Sequence, residues 1–194
     1  MIYPIEIREV WEENLEEEFK VIREVVEDLR LSAIDTEFPG RLQYDPEGRI
    51  GREHYKILKH NVDKTKLIRL GFTFSDENGN LPTCETDNRV IWQFNFREFD
   101  PDVVQKVEGS IEMLVSAGID FMKNKVRGVI SDHFKDLMQS SGVVSVNAPA
   151  SIIWVSCHGT YDFAYLLKIL TGNNLPAASG KFFAMIKTYF PCGF

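Results

Sequence analysis

The chain is poor in cysteine. Three occur in 194 residues, at Cys84, Cys157 and Cys192, and they lie far apart. No Cys-x-x-Cys or Cys-x-His pair is present, so the usual spacing of a zinc site is missing. An odd count with no secretory leader fits a reducing compartment, and nucleus and cytoplasm are the expected locations. No apolar run approaches the ~20 residues of a membrane span, so no membrane partner is expected. No internal repeat, low-complexity tract or Pro/Gly/Ser linker divides the sequence. The expectation is one domain over residues 1–194. Basic charge is also short: 22 Lys and Arg stand against 29 Asp and Glu, for a net charge of −7. That excludes a histone-like or basic-tail mode of nucleic-acid binding. It does not exclude a nuclease, whose metal site needs carboxylates.

What is present is a globular composition. Apolar residues make up 44 % and charged residues 26 %, which argues against disorder. A chain of this length buries roughly 70 % of its unfolded surface and needs no staple to fold. The negative charge is concentrated. Residues 1–30 carry ten acids and four bases, a net of −6. The remainder is close to neutral, so the acidity belongs to one segment.

Hydrophobic periodicity predicts the elements. Residues 8–30 read as an amphipathic helix, with Val10, Trp11, Leu15, Phe19, Ile22, Val26 and Leu29 on one stripe and acids opposite. Leu31–Glu37 reads as a buried strand with a polar end, and a Gly/Pro-rich loop follows to about Arg52. Residues 53–63 read as helical or irregular. Strands are predicted at 66–75 and 90–97, separated by a turn-rich stretch with Asn78-Gly79 and Pro82. Three successive strands without a long helix between them predict an antiparallel meander. Helices are predicted at 100–117 with a break near Gly109, at 119–125 and at 130–140. A strand at 152–156 and helices at 161–170 and 180–189 complete the order. The expected fold class is α/β, a ribonuclease H-like mixed sheet flanked by helices.

Asp35 and Glu37 are the first candidates for chemistry. Residues two apart in a strand share a face, and two adjacent carboxylates repel unless a cation lies between them. Oxygen donors suit Mg²⁺ or Mn²⁺. Taken alone, Asp-x-Glu also serves as strand-end solvation or a helix cap. Asp162 follows the run IIWVS and opens a helix, where the helix dipole alone would favour an acid. His158 and Cys157 mark the strand-to-helix corner, where a histidine commonly serves a structural hydrogen bond. Together, an Asp-x-Glu on an early strand and an Asp after a later one match the carboxylate plan of two-metal phosphodiester hydrolysis.

Longer segments then carry a resemblance. These are Val10-Trp11-x-x-Asn14-Leu15, Ala33-Ile34-Asp35-Thr36-Glu37-Phe38-Pro39-Gly40, Asn61-Val62-Asp63 and Leu70-Gly71-Phe72-Thr73-Phe74. Trp92-Gln93-Phe94-Asn95-Phe96, Ser141-Gly142-Val143-Val144 and the run from His158 through Leu175-Pro176 belong with them. The sequence resembles the deadenylase nuclease subunit of the CCR–NOT complex, in the DEDD exonuclease superfamily, from about residue 8 to Pro191. The segments at 41–52 and 146–151 match loosely. The resemblance implies a 3′-to-5′ exoribonuclease that trims the poly(A) tail of mRNA and releases AMP. It implies catalytic, metal-binding roles for Asp35, Glu37 and Asp162 with two divalent ions, Mg²⁺ or Mn²⁺. It places Phe38 and His158 near the substrate. Its implied protein partners are the CCR–NOT scaffold subunit and the second deadenylase subunit.

The family pattern continues beyond Pro191 with a strand and helices carrying a fourth metal-binding Asp and a general-base His. The sequence ends at Phe194, so the expectation is a domain truncated at its C-terminus. Loss of a general base costs roughly 10²–10⁴ in rate. Exposed apolar surface is expected on one side of the sheet. The alternative function is then a catalytically impaired, scaffold-binding module.

Overall fold

The computed structural model describes residues 4–44, 52–144 and 152–191. Five strands form one mixed sheet: β1 (Ile5–Val10), β2 (Leu31–Glu37), β3 (Arg69–Ser75), β4 (Arg89–Asn95) and β5 (Ile153–Val155). Their order is β1-β4-β3-β2-β5. The predicted antiparallel pairing is present, β2 with β3 and β3 with β4, but the helix Arg52–Lys64, thirteen residues long, connects the first pair, where no long helix was expected. The outer strands are parallel to their neighbours, β1 to β4 and β5 to β2.

Strict alternation sorts each strand into two faces. Ile34, Leu70, Phe72, Phe74, Val90, Trp92, Phe94 and Trp154 point one way and are buried. The helix α1 (Leu15–Asp28) lays Leu15, Phe19, Ile22 and Val26 on the core side. The helices α2 (Arg52–Lys64), α5 (Ser131–Ser140), α6 (Thr160–Thr171) and α7 (Ser179–Tyr189) complete that layer. Aromatic rings bind it together: Phe94 lies 5.7 Å from Phe19 and 5.0 Å from Phe134, and Trp154 stacks on Phe72 at 5.9 Å. Two further helices, α3 (Glu108–Ser116) and α4 (Phe121–Arg127), close one end with a smaller cluster of Ile68, Phe99, Leu114 and Ile119.

The other face is largely open. Ile5 and Ile7 on β1 are 62 % and 55 % exposed, and Ile153 and Val155 on β5 are 44 % and 49 %. Ala33 and Asp35 between them are exposed as well. Exposed apolar surface on one side of the sheet was expected, and it is present. No helix among the described residues is long and apolar enough to cross a membrane.

Two expected elements need correction. Residues 8–10 are not helical but end β1, and the helix proper begins at Leu15 after a short 3-10 turn. The alternation Ile5-Glu6-Ile7-Arg8-Glu9-Val10 acquires its meaning only from pairing with β4. The helix expected from 100 begins at Glu108, and Gly109 lies in its first turn without breaking it. Upstream, Asp100 accepts from the Asp102 N–H at 3.0 Å and Val103 is 80 % exposed, so turn chemistry prevails over the apolar spacing. The loosely matching segment 146–151 and Cys192 lie outside the described residues, as does most of the loop before α2.

Candidate active site

The candidate residues gather where β2 and β5 end. These two strands run parallel, Ala33 opposite Val155, so both chains leave the sheet at the same edge. The chain turns from β5 into α6 through His158 and Gly159. His158 holds a left-handed φ of 56°. A Cβ on Gly159 would fall 1.5 Å from Ser156 Oγ, so this turn takes glycine alone. The tight corner sets α6 directly against β2.

Asp162 is in the first turn of α6 and is buried. Its Oδ1 accepts a 2.5 Å hydrogen bond from Thr36 Oγ1. Thr36 lies between Asp35 and Glu37 and necessarily faces the opposite way, into the core side of the sheet. The strand therefore presents two acids on its open face and grips the third acid with the residue between them. Burial pushes the Asp162 carboxyl up; the bond from Thr36 works against that, and the charge of Asp35 adds to it. Glu37 is half-buried and is also pushed up, first by burial and then by Asp35 and Asp162, with Arg69 opposing. The three acids thus repel one another across two elements.

Asp35 is exposed and borders a depression of about 250 Å³ floored by Gly71 and Phe72 and walled by Ile7, Ile91 and Gln93. Phe38 is not a free platform: its ring stacks on Tyr161 at 5.2 Å and meets Tyr165 at 5.0 Å. His158 is exposed and borders a separate depression of about 300 Å³ with Trp154, Ser156, Thr160 and Phe163. Asp35, Glu37 and Asp162 are thus within electrostatic reach of each other, and His158 sits around the corner from them.

Among the described residues, no three His, Cys, Asp or Glu side chains converge into a finished metal cage. The donor set fits a divalent ion in kind. It offers hard carboxylate oxygens from two elements, and their mutual repulsion is what a cation relieves. Two residues escaped sequence reasoning. Thr36 was legible in principle, because a buried hydroxyl beside two candidate acids requires an acceptor. Arg69 depends on the β2–β3 register, which no local pattern reveals.

Comparison with known proteins gives the context. The CAF1 family ribonuclease profile matches residues 10–134. A probable CCR4-associated factor 1 homolog 7 of Arabidopsis thaliana is 52 % identical over 191 residues, covering 96 % of this chain and 68 % of its own length. Poly(A) ribonuclease pop2 of Schizosaccharomyces pombe is 38 % identical over 188 residues, and the chain spans 53 % of it. The solved structure of S. pombe Pop2p in its Mg²⁺- and Mn²⁺-bound form superposes with a TM-score of 0.84 at 37 % identity, over 97 % of this chain and 72 % of that one. A yeast structure of the NOT1 MIF4G domain co-crystallised with CAF1 matches with a TM-score of 0.75 at 33 % identity, over 97 % and 68 %. These superpositions establish the ribonuclease H-like fold.

Proposed function

The chain belongs to the CAF1 family of ribonucleases, and on that premise we propose that it is a poly(A)-specific 3′-to-5′ exoribonuclease acting in mRNA deadenylation. The observation that carries the proposal is the three-acid group, Asp35 and Glu37 on one strand face with Asp162 held against that strand by Thr36. The name of the fission-yeast relative, a poly(A) ribonuclease, supports the substrate.

Asp35, Glu37 and Asp162 would hold Mg²⁺ or Mn²⁺, as the ions in the S. pombe Pop2p structure support. Such ions supply a Lewis acid at the phosphodiester and a nucleophilic water at neutral pH. The protein's own groups do the positioning. Thr36 fixes the Asp162 carboxylate by donating to Oδ1. Asp35 lies open to an incoming strand. Phe38, braced by Tyr161 and Tyr165, forms a stiff aromatic wall beside β2, and His158 offers an exposed ring for the substrate. Adenine preference would then arise from stacking and shape more than from a basic stripe. Labelled A₂₀ RNA incubated with the chain and Mg²⁺ tests this reading. Stepwise loss of 3′ nucleotides is expected, abolished by Asp35→Ala and slower on U₂₀. If A₂₀ stays intact and Asp35→Ala behaves like the wild type, the enzymatic reading fails.

A second reading is a scaffold-binding module of the CCR–NOT complex with weakened catalysis. It is favoured by the relative co-crystallised with the NOT1 MIF4G domain. Pull-down with a purified MIF4G domain is expected to retain the chain, and with it the second deadenylase subunit. Failure to bind, where a full-length relative binds, removes this reading.

A further inference from the structure

We propose that Arg69 is a substrate-binding residue that takes a phosphodiester of the RNA strand beside the three acids. The inference deepens the nuclease reading and rests on it.

The register places Arg69 directly opposite Glu37 on the neighbouring strand, and opposite Asn95 on the other side. All three residues have the parity of the open face, in line with Asp35, Gly71 and Gln93 in the next row. Among the described residues, Arg69 is the one base that register pairs with a candidate acid. Asn95 is fully buried. Its Oδ1 accepts from Arg69 Nε at 2.9 Å, and its Nδ2 donates to Gln93 O at 3.4 Å. A buried amide thus latches one edge of the guanidinium and fixes its plane. The two terminal nitrogens of the fork make no hydrogen bond among the described residues. Asp35 faces Gly71 across the strands, so no side chain stands between the acid and the rim on which Arg69 sits.

A guanidinium is costly to bury without an anion in contact. Here Arg69 is half-buried, yet among the described residues no carboxylate, Glu37 included, is within ion-pair distance of it. A planar fork with its outer edge free matches two oxygens of a phosphate better than it matches distant acids. An RNA strand reaching Asp35 must carry its phosphates past strongly negative side chains, and one fixed cation on the approach offsets that repulsion. The rival role is that Arg69 only steadies Glu37.

The two roles separate in a binding experiment without turnover. Fluorescence anisotropy of A₂₀ RNA is measured in EDTA over a salt series, for wild type, Arg69→Gln and Arg69→Lys. The Gln variant is expected to bind roughly tenfold more weakly at low salt, the weight of one charge-assisted bond. The slope of log affinity against log salt should shrink by about 0.7, the share of one phosphate contact on a single strand. The Lys variant keeps its charge, so its slope should match wild type while part of the affinity is lost with the fork. Mn²⁺ affinity, measured separately, should not weaken in either. Equal affinity and slope for Arg69→Gln and wild type overturn the assignment, as does a change confined to Mn²⁺ binding. If Arg69→Gln does not fold, a wild-type slope and affinity in Arg69→Lys support a point-charge contact and overturn the fork. Absence of A₂₀ binding by the wild type in EDTA also overturns the assignment. Absence of both binding and shortening of A₂₀ with Mn²⁺ present takes the nuclease reading with it.

Discussion

The two faces of one sheet have opposite jobs. On the covered face of β3 and β4 every second residue is a sizeable apolar side chain, and Phe72, Phe74, Trp92 and Phe94 are essentially inaccessible. On the open face the same strands present Asp35, Glu37, Arg69 and Gln93, with isoleucines toward the edges. Stability is invested on one side and chemistry is displayed on the other. Thr36 joins them, because it belongs to the covered face and yet holds a candidate catalytic carboxylate. Burial makes that arrangement firm: a hydrogen bond away from water is costly to leave unmade.

The comparison yields predictions of decreasing size. Phe94→Ala removes a ring packed on Phe19, Phe72 and Phe134. Urea unfolding should show a loss of about 3–5 kcal/mol, the cost of a large-to-small change in a close-packed core. Thr36→Val keeps the shape but removes the donor to Asp162. A loss of about 1–3 kcal/mol is expected, together with weaker Mn²⁺ binding by calorimetry. A loss of stability with Mn²⁺ affinity intact would separate the strand's structural role from the site.

The pH dependence reports the repulsion among the acids. Glu37 and Asp162 are pushed above their ordinary values of 4.5 and 3.8. A carboxyl with a raised folded value favours the folded state while protonated, and that contribution is lost as pH rises through the raised value. In EDTA, the melting temperature of Asp162→Asn should therefore exceed that of wild type at neutral pH. The gap should close as pH falls below about 3.8, where Asp162 is protonated in both states. A gap independent of pH would show that repulsion is not its origin. Smallest of all, Asp35→Ala and Ile7→Ser on the open face should each change stability by no more than about 0.5 kcal/mol. Asp35→Ala should nonetheless abolish RNA shortening.

Much of this architecture is written locally. Period-two alternation marked β3, an apolar start with a polar end marked β2, and spacing of three and four marked α1. Asp35, Glu37 and Asp162 could be singled out because their residue types and flanking segments are local features. β1 was hidden, since its six residues, Ile5–Val10, look like the approach to a strongly amphipathic helix until β4 pairs with them. The resemblance set Phe38 near the substrate, but that α6 supplies two tyrosines to pin it depends on helix docking.

By itself the sequence determined the alternation that gives each strand two chemically different faces, the placing of three acids at strand and helix ends, and the family segments around them. The tertiary structure alone decided which face is covered, that Thr36 reaches Asp162 across 126 positions of sequence, and that Arg69 stands opposite Glu37. The reason is physical. Periodicity is a property of neighbours in the chain, whereas register and helix docking are chosen by the free energy of burying distant residues together.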